Sequence, residues 1–222
     1  KLNDKLSGPP GEGEGLPPRD RAPSQTGGAT AYERARRFDD AGRMYRESLE
    51  LRRQIYGDIS VETARALNNL GVFLAARSQL TEGLALLEQS LVVRRQLYGD
   101  DHPDVANSLI NIAALRRGTA DLVGAIGYAR EAVAILQRAN PDGSLDSAHA
   151  QVVLGRSLLA DGQAEEGCRL LERGVGLAVR LLGADSVRGR QFVNNAARYL
   201  EAAGQTDKRQ ELLARFAPAG DG

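Results

Sequence analysis

The sequence predicts an all-α chain of stacked antiparallel helix pairs, and three observations predict it. The chain repeats itself: Tyr56-Gly57-Asp58 returns 42 residues later as Tyr98-Gly99-Asp100, and the register holds without insertion from Arg37 to near the C-terminus. A period of about 20–50 residues marks a solenoid, in which each unit buries its apolar face only against its neighbours. Within each period apolar residues recur at helical spacing, and no stretch alternates as a half-buried strand would. Capping and turn residues then punctuate these stretches at matching places, so each period holds two helices.

Residues 1–28 stand outside the repeat. Gly8-Pro9-Pro10-Gly11 and Leu16-Pro17-Pro18 offer little to bury, so a disordered linker is expected there. A partial first unit spans 29–56, with a shortened helix over Ala29–Arg36 and a full one from Phe38 to Ile55. Gly57 suits the left-handed cap that ends it. The following units run over about 57–98, 99–140, 141–182 and 183–217, with 218–222 a disordered tail. Helices are expected over Ser60–Arg77, Leu80–Tyr98, from His102-Pro103-Asp104, and over Asp121–Ala139. Proline in the first turn and an acid at the positive end of the macrodipole favour the third of these. Asn140-Pro141-Asp142-Gly143 is a turn and Ser144 an N-cap, while Gly162-Gln163 and Gly204-Gln205 are turns inside the last two pairs.

The columns of the repeat show why the helices pack. Ala41, Gly83, Ala125 and Gly167 share a column where helices approach closely and only a small side chain fits. Leu70, Ile112, Leu154 and Ala196 form an apolar column, and Leu74, Leu158 and Leu200 another one turn later. Arg116 interrupts the second, its stem expected to pack while the guanidinium reaches solvent or an acid. Arg209 stands in the small column of a short final helix, which reads as an atypical terminal cap or, alternatively, as the degenerate end of an array that once continued.

Small Gly71, Gly83 and Ser90 with Leu67, Leu70 and Leu74 follow a known pattern: the chain resembles the tetratricopeptide repeat. The word Tyr98-Gly99-Asp100-Asp101-His102-Pro103-Asp104-Val105-Ala106 between units, and Leu67-Asn68-Asn69-Leu70 within one, resemble the kinesin-light-chain type of 42-residue repeat. The resemblance covers about Ala29 to Phe216. It implies a right-handed superhelical solenoid of about ten helices, whose first helices line a concave groove that binds extended peptides. It implies no catalytic activity. Residues beyond the usual 34 would lengthen each helix by about one turn, roughly 6 Å.

Composition bounds the partners. Basic and acidic residues balance at 29 each, which argues against a dedicated nucleic-acid binder. No run is long and apolar enough to span a membrane, and the first residues do not form a secretion signal. One cysteine, Cys168, fits a reducing compartment, so a cytoplasmic location is expected. Basic residues are nearly all arginine, which with the many Ala and Gly points to a GC-rich, bacterial source. No cofactor or metal is expected, because His102 and His149 lack a second ligand at metal spacing and no glycine-rich word follows a strand. Cys168 lacks an orienting partner for nucleophilic work, and the doublets Arg52-Arg53 and Arg94-Arg95 are expected on a solvated face.

What remains is an asparagine column, Asn69, Asn111 and Asn195, broken by Val153. Such amides donate and accept, so they suit an extended peptide backbone. About one turn away lie Arg65, Asn107, His149 and Gln191, with Arg156 and Arg198 further on. Arginine outweighs acid there, so an acidic peptide is the expected ligand. The partner is a protein or the chain's own upstream domain. The alternative function is a regulatory array at the C-terminus of a larger bacterial signalling protein, a kinase or nucleotide-binding switch.

Overall fold

The computed structural model describes residues 38–216, so the expected linker, the helix over Ala29–Arg36 and the tail lie outside the described residues. Among the described residues there are nine α-helices and no strand. They are α1 Phe38–Tyr56, α2 Val61–Ala76, α3 Leu80–Tyr98, α4 Pro103–Gly118, α5 Leu122–Ala139, α6 Leu145–Ala160, α7 Ala164–Leu182, α8 Val187–Ala202 and α9 Thr206–Phe216. The described residues divide into two compact units, one ending at Leu97 and the other beginning at Tyr98.

The helix starts follow the repeat. Ser60, His102, Ser144 and Ser186 share one column, and each caps α2, α4, α6 or α8 with its own side chain. Ser60 accepts from the Thr63 amide at 3.1 Å, and Ser186 accepts from that of Gly189 at 2.8 Å. His102 does the same work through Nδ1, which accepts from the Asp104 N–H at 3.1 Å, so this histidine serves the fold. The turns inside the pairs also align. Ser78, Ala120, Gly162 and Gly204 all take positive φ, 63°, 63°, 82° and 70°, although only two of them are glycine. The two non-glycine residues carry the cost of the left-handed region.

In the first unit, α1 packs on α2 through Ala41, Tyr45, Leu49, Leu70, Phe73 and Leu74, with the Tyr45 and Phe73 rings 5.2 Å apart. The α2–α3 crossing is set by Gly71 and Gly83: a Cβ on Gly83 would stand 2.8 Å from the Gly71 carbonyl oxygen. No side chain fits there without moving a backbone. Ser90 fixes the same pair lower down by donating to the Ala64 carbonyl at 2.8 Å, fully buried. The doublet after it departs from expectation. Arg94 is buried, not solvated, because it stands in the column that Leu136 and Ala178 occupy in later repeats.

The second unit repeats this construction. Gly155 and Gly167 form the α6–α7 crossing, where a Cβ on Gly155 would lie 2.8 Å from the Gly167 carbonyl oxygen. The α4–α5 crossing instead carries Ala113 and Ala125, both wholly buried. Arg116 meets Asp121 at 2.5 Å, and that carboxylate also caps α5 by accepting from Gly124 N–H. Those bonds hold the Asp121 pKa below the usual carboxylate range, the Gly124 amide first and Arg116 next. At the far end α9 buries only Leu212, and Arg209 lies 3.6 Å from Glu201 at the surface.

Candidate functional site

In the second unit the first helices of successive pairs touch directly, α4 against α6 and α6 against α8. Among the second helices, α7 and α9 touch as well, and α5 and α7 are bridged at the surface. The latter two are joined by long side chains, as in the Arg130–Glu166 ion pair at 3.1 Å, whose counterpart in the first unit is Arg46–Glu82 at 3.3 Å. Exposed pairs of this kind are worth about 0–1 kcal/mol each, so they trim the spacing rather than hold it. The first helices α4, α6 and α8, touching in succession, form one continuous wall of the second unit.

His149 stands at a hollow in this wall. Its side chain is open to solvent, yet surrounding protein pushes the imidazole pKa below its ordinary value, with Asp146 pulling the other way. A group that water reaches but protein crowds on several sides belongs to a hollow wall. The hollow is a recess of about 400 Å³ lined by His149, Val153, Arg156, Gln191, Phe192 and Asn195, with Asp146 at its edge. Asn107 reaches that edge from α4, its amide 3.5 Å from the Asp146 carboxylate.

The recess shares Arg156 and Tyr199 with a second one of about 330 Å³, which adds Arg117 from α4 and is floored by Leu159, Ala160, Ala202 and Ala203. The Arg156 guanidinium lies over the Tyr199 ring, 4.2 Å from its centroid, a cation–π contact that holds it in place. Arg117 has its pKa lowered by burial first and by Arg156 second, with Tyr199 opposing. No carboxylate lines this second recess.

The expected residues are thus partly assembled. His149, Arg156, Gln191 and Asn195 line one recess, with Val153 buried where the asparagine column breaks. Asn111 is half-buried on α4 and does not line it, and Arg198 is exposed outside it. Arg65, exposed, and Asn69, half-buried, lie on α2 of the first unit. Arg117, Phe192 and Tyr199 were not among the expected residues. Their signal was an aromatic on the first helix of the last pair and an arginine after the irregular Arg116.

Cys168 packs in the contact of α7 with α9, where burial raises its thiol pKa against the pull of Lys208. Among the described residues no three His, Cys, Asp or Glu stand together to hold a metal ion, and no helix is long and apolar enough to cross a membrane.

Comparison with known proteins agrees with this construction. Two sequence profiles described as tetratricopeptide repeat match residues 62–138 and 24–62, together just over half of the chain. The chain belongs to the tetratricopeptide repeat family, whose arrays are protein–protein interaction scaffolds. Solved structures of kinesin-light-chain-like repeats share its fold. A structure of nearly identical TPR-like repeats from Podosopora anserina, described as from a kinesin light chain, aligns with TM-score 0.73 at 21% identity, over 90% of this chain and 95% of that one. A second structure of such Podosopora anserina repeats gives TM-score 0.71 at 22% identity, over 91% and 95%. BtubC (BKLC) from P. vanneervenii gives TM-score 0.68 at 20% identity, over 78% of this chain and 68% of that one. These likenesses concern the fold alone. None of the curated proteins matches the chain.

Proposed function

We propose that the first-helix face of the second unit holds an extended, acidic peptide segment of a protein partner, without catalysis. The observation that carries this reading is the joined pair of recesses around Arg156 and Tyr199, largely apolar in lining, carrying the arginines Arg117, Arg156 and Arg188, and walled by three successive first helices. Asn195 offers its amide to the peptide backbone, and His149, Gln191 and Asn107 border the same path. Arg156 and Arg117 supply charge for acidic side chains, and Arg198 extends it along α8. Asn69 and Arg65 present the same residue types on α2, and Asn111 on α4. The partner is a separate protein or a further domain of the same polypeptide.

The test is capture of peptides on the chain, mapping of what is retained, and titration against Asn195→Ala and Asn69→Ala/Asn111→Ala/Asn195→Ala. Each lost amide is worth roughly 0.5–1.5 kcal/mol, so the triple variant should bind about tenfold to a thousandfold more weakly. Unchanged affinity removes the amides from the site. Unchanged affinity together with a large loss of melting temperature makes them structural.

A further inference from the structure

The second recess is charged in a way that a single carboxylate does not balance. Arg117 and Arg156 come from helices of different pairs, yet they line one hollow of about 330 Å³. Neither has an acidic partner among the described residues, and the rest of the lining is Tyr199, a leucine and alanines. Like charges in a partly apolar hollow repel, and burial first and Arg156 second lower the proton affinity of Arg117. Such an arrangement costs free energy in the unliganded protein. A pair kept under that cost is poised for an anion with two charges. One carboxylate neutralises one guanidinium and leaves the other uncompensated.

We propose that the Arg117–Arg156 recess is a phosphoryl subsite, taking a phosphorylated side chain of the bound peptide. A phosphoryl group carries about −1.5 to −2 charges near pH 7 and presents three acceptor oxygens, enough for two guanidinium forks at once. Arg156 is already oriented by the Tyr199 ring, so little side-chain freedom is lost on binding. The recess opens beside Asn195 and Gln191, so a peptide lying along the first-helix face passes its mouth. The peptide carrier rests on the groove reading above; the dianion subsite itself does not.

The full chain is titrated with phenyl phosphate and with benzoate at matched ionic strength, following the Nε–Hε signals of Arg117 and Arg156 by NMR. Phenyl phosphate should bind at least about tenfold more tightly, and its advantage should shrink as pH falls through about 6, where the second phosphate proton returns. Arg117→Gln and Arg156→Gln should each abolish the preference with the helical circular-dichroism signal intact. The pH series uses the unaltered chain and stands whatever the variants do. Equal affinity for the two anions, or a preference untouched by either substitution, overturns the proposal. A phosphoserine peptide library should then be retained over its dephosphorylated twin. Indifference between the libraries overturns the phosphopeptide carrier and leaves the groove standing, whereas retention of neither overturns the groove as well.

Discussion

Gly155 and Arg156 are neighbours in sequence and obey opposite rules. Gly155 sits at a helix crossing where its repeat counterparts are Gly71, Ala113 and Ala197, all small. A Cβ at Gly155 or Gly71 meets backbone within 2.9 Å, and the two other crossings admit nothing larger than a methyl, so the constraint is steric. Arg156 lines the open recesses, and its counterparts are the aliphatic Val72 and Ala114 in the two preceding pairs and Arg198 in the next, so size and charge change along the column. Packing between pairs does not constrain that position. The difference teaches where to look in a repeat protein: the period records what the stack requires, and the departures from it on the open face record what the surface does.

The largest effect should come from breaking the packing side of this comparison. Gly83→Leu or Gly155→Leu forces a side chain against a carbonyl and should destabilise its unit by about 3 kcal/mol, measured by urea unfolding. Ala125→Leu should cost about 1–3 kcal/mol, because its crossing already accommodates methyl groups. Ala120→Gly acts in the opposite direction. Its φ of 63° strains any L side chain, so glycine should stabilise the second unit by up to about 1 kcal/mol in the same assay.

Titration of the groove gives a smaller effect of definite sign. NMR should place the His149 midpoint below the ordinary histidine value of about 6.5. The unfolded chain then binds the proton more readily than the folded one, so His149 stabilises the fold above about 6.5 and that contribution is lost as pH falls below it. His149→Gln should flatten this part of the stability profile; a midpoint above 6.5 contradicts the crowded-wall description. The smallest effect is at the end of the array. Arg209→Ala should change stability by less than about 0.5 kcal/mol, since its ion pair with Glu201 is at the surface.

These contrasts also explain what the sequence made legible. Helix spans, the Ser144 cap and the small crossing column follow from local rules repeated at a fixed period, so they could be read from one chain. Arg94 could not, because its doublet at a helix C-terminus looked solvated, although Leu136 and Ala178 in the same column already marked the position as core. The site was half legible. His149, Arg156, Gln191 and Asn195 lie on the first-helix face that the period identifies. Arg117 and Tyr199 come to Arg156 from the helices on either side, and that convergence depends on the rotation of three helices about their axes. Spacing along the chain does not fix those rotations closely enough to bring three particular side chains together.

The central claim is that departures from the repeat, and not the repeat itself, make the binding site. It is tested most directly by installing the first unit's residues in the second: Arg117→Ala/Arg156→Val copies Ala75 and Val72 into the recess. The measurement is the affinity of a captured peptide for this variant and the wild type, with melting curves run in parallel. The predicted result is at least about a tenfold loss of affinity with the melting temperature unchanged or raised, since a like-charge pair has been removed. Unchanged affinity with a lowered melting temperature would show that the two arginines support the fold, and would contradict the claim.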